Sequence, residues 1–242
     1  MPFVFGLALA LLGGFTALQP LQLPLLAWLA GVYVILWLYG LVVDDTRVSS
    51  VLWGPTIAAG AWLGLWLGEG GASPANLLIC SLATAWALKT AAISWLSGTE
   101  STRIDGLRAA AGSRWPAVAL LRVHLPQALL AWVLTAPIVA ALGAGWDPSL
   151  SPLHWVGLGF WAAGILLQSH GEITRGDRLL APLRCTLAHW GFGCFAAAAG
   201  RAEFLIVPAL VTVATYAHEQ IRERRARASR PLALAFALSA DG

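Results

Sequence analysis

Residues 22–43 read QLPLLAWLAGVYVILWLYGLVV, without one charged side chain. A bilayer core needs about 20 apolar residues per helix, so this stretch is long enough to cross. Working outward, comparable runs occupy 3–18, 51–68, 76–96, 119–144 and 153–169. A further apolar stretch, 186–217, is interrupted by Arg201-Ala202-Glu203. It reads either as one span or as a short helical hairpin with its tip at that interruption. The expected fold is all-α: a polytopic integral membrane protein of about seven transmembrane helices.

The rest of the chain agrees. Of 242 residues, 58% are hydrophobic and 11% charged. A soluble domain is nearer a quarter charged, so a water-soluble globule is excluded, and so is a disordered chain. Fifteen residues are basic, and Lys89 is the single lysine among them. In such a chain a net charge of +3 reflects the positive-inside rule rather than a nucleic-acid partner. The connections at 18–22, 69–75 and 145–152 lack Lys and Arg. The alternate ones carry Arg47, then Arg103, Arg108 and Arg114, then Arg175, Arg178 and Arg184. Arg222, Arg224, Arg225, Arg227 and Arg230 follow in the tail. Both termini are therefore expected in the cytoplasm, as in a bacterial inner-membrane protein.

Residues 1–225 read as one membrane-embedded domain and 226–242 as a basic and apolar C-terminal tail. The start lacks the basic n-region of a cleaved signal, so the run from Phe3 is expected to be a retained helix. Gly60, Gly64 and Gly68 form overlapping GxxxG patterns, read as close packing within the monomer. Cys80, Cys185 and Cys194 have no CxxC spacing and are expected to be free thiols.

Lys89 is the one ionisable residue well inside an expected span, and an intramembrane charge is a functional hypothesis by default. Snorkelling or a structural ion pair is its bland reading. The remaining polar chemistry gathers at the cytoplasmic ends. Glu100, Arg103, Asp105 and Arg108 are expected in one loop, and His170, Glu172, Arg175, Asp177, Arg178 and Arg184 in the next. Acids, histidines and arginines over an apolar interior suit a polar head group in the mouth and a lipid-like body below. Several motif matches fail their context. Gly191-Phe192-Gly193 opens a dinucleotide-type expression, but no strand precedes it. Asp44-Asp45 lacks the third aspartate of a DDxxD magnesium site, and no metal site is expected.

Taken in order, the landmarks resemble a family. They are Ser50-Val51-Leu52-Trp53-Gly54, Trp86-Ala87-Leu88-Lys89, Glu100-Ser101-Thr102-Arg103, Gln127, Pro137, and the run from Arg184 through Thr186 and His189 to Gly193. The order and spacing resemble the steroid 5α-reductase-like family of bacterial membrane proteins, in the branch known as a domain of unknown function, over residues 45–225. The resemblance implies an all-helical fold of about seven spans. It also implies reduction of conjugated double bonds in steroid or other lipid substrates by NADPH, held in a cavity open to the cytosol. Arg184, Thr186, Gly193 and Arg103 then fall at cofactor-binding positions.

The family's run Arg-x-x-Arg-His-Pro-Asn-Tyr-x-Gly-Glu begins here at Arg184 and keeps Gly193. Its core is replaced by Leu187, Ala188, His189, Trp190 and Gly191, and its final Glu by Cys194. This degenerate motif removes most of the donors that a dinucleotide phosphate needs, so weak or no NADPH binding is expected. Two functions follow. The chain is an enzyme on an isoprenoid, steroid or fatty lipid, with Glu172, His170 or His189 as acid or base and Lys89 polarising a carbonyl. Its chemistry is then either retained double-bond reduction or a redox-neutral isomerisation or cyclisation. Alternatively it is a non-catalytic pseudoenzyme that binds lipid or supports a partner.

Overall fold

The computed structural model describes residues 21–68, 70–97, 102–142, 151–173, 181–217 and 220–221. Helices make up almost all of this, and there is no strand among the described residues. In chain order they are α1 (Gln22–Val42), α2 (Arg47–Val51), α3 (Trp53–Leu67), α4 (Pro74–Ser97), α5 (Thr102–Ala111), α6 (Trp115–Ala119), α7 (Leu125–Leu142), α8 (Pro152–Ile173), α9 (Ala181–Ala198) and α10 (206–217).

The quoted stretch is α1. Leu25, Leu29, Tyr33 and Leu36 form its buried stripe, while Leu23, Ile35 and Leu38 face outward. A helix that is apolar on every side belongs in a core or in a bilayer. Among the described residues, three helical segments are long and apolar enough to cross a membrane: Gln22–Val42, Pro74–Leu96 and Ile104–Leu142. Exposed tryptophans sit toward helix ends, Trp66 on α3, Trp95 on α4 and Trp155 on α8, as interfacial rings do in membrane proteins.

α7 is the central post. From Ala131 its side chains are mostly buried, Trp132, Thr135 and Ile138 among them, against α1, α3 and α9. The glycine stripe of α3 permits this approach. A Cβ on Gly64 would lie 2.7 Å from Val139 Cγ2, and one on Gly60 would lie 3.1 Å from Thr135 Cγ2. The GxxxG pattern therefore packs inside the monomer. α4 lies against α3, and α8 pairs most extensively with α9. A Cβ at Gly191 would meet Gly157 O at 2.7 Å, and one at Gly164 would meet Ala188 N at 2.5 Å. The dinucleotide-like glycines are thus helix-packing glycines.

Two turns have identifiable causes. α1 closes with Asp44 at φ 52, and the Asp45 N–H donates to Gly40 O at 3.0 Å. Aspartate tolerates that left-handed position better than most residues. α9 ends at Gly200, φ 75, with Arg201 N–H donating to Ala196 O at 2.9 Å. After a short 3₁₀ turn (Ala202–Leu205), α10 returns along α9. Trp190 Nε1 donates to Thr212 Oγ1 at 3.0 Å, and Gly193 faces Pro208. The interruption at Arg201–Glu203 is the tip of this helical hairpin, and the two side chains pair there at 3.7 Å.

Two expectations are corrected. The segment around Arg103, Asp105 and Arg108 is not a loop but α5, continuous through a 3₁₀ turn, α6 and a π turn (Leu120–His124) into α7. Arg108 holds it down by donating to Asp44 Oδ1 at 2.9 Å while lying 5.2 Å from the Trp115 ring centroid. The apolar run 51–68 is also interrupted, because α2 ends and α3 begins at Leu52.

Candidate functional site

Lys89 is half-buried on α4. Its Nζ donates to the backbone carbonyl of Ile165 at 2.8 Å and to Gln168 Oε1 at 3.4 Å, both on α8. Burying a cation without hydrogen-bond partners costs several kcal/mol, and here a carbonyl and an amide oxygen offset that cost. One turn earlier, Trp86 is edge-on to the His189 ring of α9 at 5.2 Å and to Trp53 of α3 at 5.6 Å. Three aromatic rings from three helices therefore meet at Trp86, one turn before Lys89 on α4. Thr90 donates back to Ala87 O of its own helix at 2.9 Å, where α3 crosses α4. The lack of a side chain at Gly54 admits this crossing, since a Cβ there would collide with Thr90 Oγ1.

The other sequence-derived candidates divide between the helices. His170 and Glu172 lie on the last turn of α8, on the helix that holds Lys89. Arg103 lies at the start of α5 and Arg184 in the first turn of α9. The side chains of these four fall outside the described residues, as do Glu100, Arg175, Asp177 and Arg178. His189 is 5% exposed, with its ring against Trp86. Thr186, one turn earlier on α9, is fully buried. A Cβ at Gly193 would lie 3.0 Å from Pro208 Cγ and 3.2 Å from Leu205 Cδ2, so this glycine makes room for the returning hairpin. No group of three metal-ligating side chains occurs among the described residues.

Gln168 and the Ile165 carbonyl are partners that sequence reasoning missed. The signal was slight: an amide one turn before Glu172 on a face that meets α4. Backbone carbonyls leave no sequence signal at all.

What this arrangement can do is hold an oxygen. A lysine ammonium has three donors. Such a charge, set among apolar helices one turn along α4 from Trp86, attracts a carbonyl or hydroxyl oxygen. A family model described as a protein of unknown function (DUF1295) matches residues 36–176, more than half of the chain. The chain is a DUF1295 protein. That is the steroid 5α-reductase-like family. The match covers Lys89, Arg103, Gln168, His170 and Glu172 in this DUF1295 protein and ends before α9, which carries Arg184, Thr186, His189 and Gly193. No curated protein and no solved structure matches the chain.

Proposed function

We propose that this DUF1295 protein holds a hydrophobic lipid, isoprenoid, steroid or fatty, with its polar end at Lys89. The observation that carries the reading is the Lys89–Ile165–Gln168 contact, one turn along α4 from Trp86 and its ring contacts with His189 and Trp53. A seven-span bundle with both termini cytoplasmic, in a bacterial inner membrane, completes the proposal. The three long apolar segments and the arginine-rich connections support it.

The residues from Thr186 to Gly193 do not fit a nicotinamide dinucleotide. Thr186, Ala188, His189 and Phe192 are buried, and Trp190 is hydrogen-bonded to Thr212. Gly191 and Gly193 are taken up by helix contacts. A side chain committed to packing cannot also donate to a phosphate. NADPH therefore has no part in the proposed chemistry. In the enzymatic form of this reading the chemistry is redox-neutral: Lys89 polarises a substrate carbonyl, and His170, Glu172 or His189 moves a proton, as in isomerisation.

One observation favours a second reading. His189 is covered by Trp86, and a general base must reach the proton it takes. A lipid-binding pseudoenzyme needs only the cradle.

NADPH titration of the detergent-purified chain separates these readings from a reductase. The expected result is no binding below about 10 µM. Sub-micromolar affinity, about −8 kcal/mol or better, would restore the reductase. Conversion of a labelled enone lipid to its isomer without nucleotide would select the redox-neutral enzyme over the pseudoenzyme.

A further inference from the structure

A cavity lies away from Lys89, at the end of the bundle where α1 finishes. This open groove has a volume of about 650 Å³ and is lined by α1, α2, the turn between them, and the last turn of α4. That is within the range of small-molecule sites, about 300–1,000 Å³. Its walls are apolar: Ile35 and Leu36 of α1, Val48 of α2, Leu52 just after it, and Trp95 of α4. Its rim carries both signs of charge. Arg47 Nε and an Nη donate to Asp45 Oδ2 at 2.8 and 2.6 Å, and the Arg47 backbone N–H donates to Asp45 Oδ1 at 2.8 Å.

The rim is built rather than loose. Asp45 is tied to Gly40 through the turn that closes α1, and neighbouring Asp44 is held by Arg108 of α5. The guanidinium and carboxylate thus keep fixed places at the mouth, with Ser94 and Tyr39 beside them. Trp95, 74% exposed, stands at the same level, where an indole marks a membrane interface.

We propose that this groove is a binding site for a zwitterionic phospholipid of the phosphatidylethanolamine type. The phosphate lies against Arg47, the primary ammonium against Asp45, and an acyl chain runs between α1 and α4. The complementarity is of charge pattern: a cation and an anion side by side match a head group carrying both. An anionic lipid meets the Asp45 carboxylate and gains less. The Arg47 hydrogen bond holds the Asp45 carboxyl below its ordinary range, so it stays ionised at neutral pH.

The test uses the full chain in nanodiscs of equal phosphatidylethanolamine and phosphatidylglycerol. Native mass spectrometry after graded delipidation then reads which lipid stays. Wild type should retain the zwitterionic lipid at least threefold over the anionic one. Asp45→Asn and Arg47→Gln should each bring the ratio near one, and Ile35→Trp, which fills the groove without touching the charges, should lower total retention. Lys89→Met should leave the ratio unchanged. A wild-type ratio of one overturns the proposal, as it would if another segment of the chain or a second copy filled the groove. A ratio unaffected by both charge variants overturns it equally.

Discussion

Lys89 Nζ donates to the main-chain oxygen of Ile165 at 2.8 Å, joining α4 to α8 through a backbone carbonyl rather than a carboxylate. Mutation of Ile165 therefore cannot remove the acceptor, and Lys89 itself is the lever.

Lys89→Met should leave stability nearly unchanged. It gives up hydrogen bonds of a charged donor, worth about 1.5–3 kcal/mol. It also removes the roughly 2.5–3.5 kcal/mol cost of a lysine within the membrane. A melting midpoint in detergent within about 3 °C of wild type is the expected outcome. A large loss would make the residue a structural tie.

The α8–α9 seam should tolerate no side chain at its glycines. Gly164→Ala puts a Cβ against Ala188 N at 2.5 Å, and overpacking of this kind costs about 1–3 kcal/mol. Gly159 on the same helix has nothing within 4 Å of a built Cβ, so Gly159→Ala should be neutral or stabilising by up to about 1 kcal/mol. Comparing the two melting midpoints checks the seam, and equal effects would contradict it.

The Asp45–Arg47 pair should give a pH signature. Its hydrogen bond to Arg47 lowers the carboxyl from its ordinary value of 3.8. A depressed folded value means stabilisation that is present above pH 3.8 and lost as pH falls through the folded value. Asp45→Asn should be less stable than wild type at pH 6, and the gap should close toward pH 3. The pair is partly exposed, so the gap should be small and should shrink in high salt. A gap that widens on acidification would reverse the assignment.

Much of the fold was legible in the sequence because a bilayer imposes length. α1 and α4 follow directly from apolar runs, and the break at Arg201–Glu203 marked the turn into α10. The amphipathic segment 102–111 was read as a loop because its charges resemble a solvated connection. What makes it a helix is tertiary, namely Arg108 reaching Asp44 and stacking by Trp115. At the candidate site Lys89 stood out by charge alone. Its acceptors did not, since one is a main-chain oxygen and the other an amide distant in sequence. The contact of His189 with Trp86 was equally hidden, because which faces of α4 and α9 meet depends on the whole bundle.

Membrane orientation gives a further check. Gly98→Cys and Arg224→Cys, in otherwise active or ligand-retaining protein, should both react with impermeant thiol reagent only from the cytoplasmic side. Labelling of position 224 from outside would remove the even number of crossings between Arg184 and the tail.

The central claim is that Lys89 holds the polar end of a lipid. Native mass spectrometry of gently purified wild type beside Lys89→Met tests it most directly. The account predicts, besides any phospholipid held at Arg47 and Asp45, a second lipid-mass adduct on wild type that falls at least fivefold in the variant, with no nicotinamide nucleotide on either. Equal adduct on both proteins, or a bound dinucleotide on wild type, would contradict it.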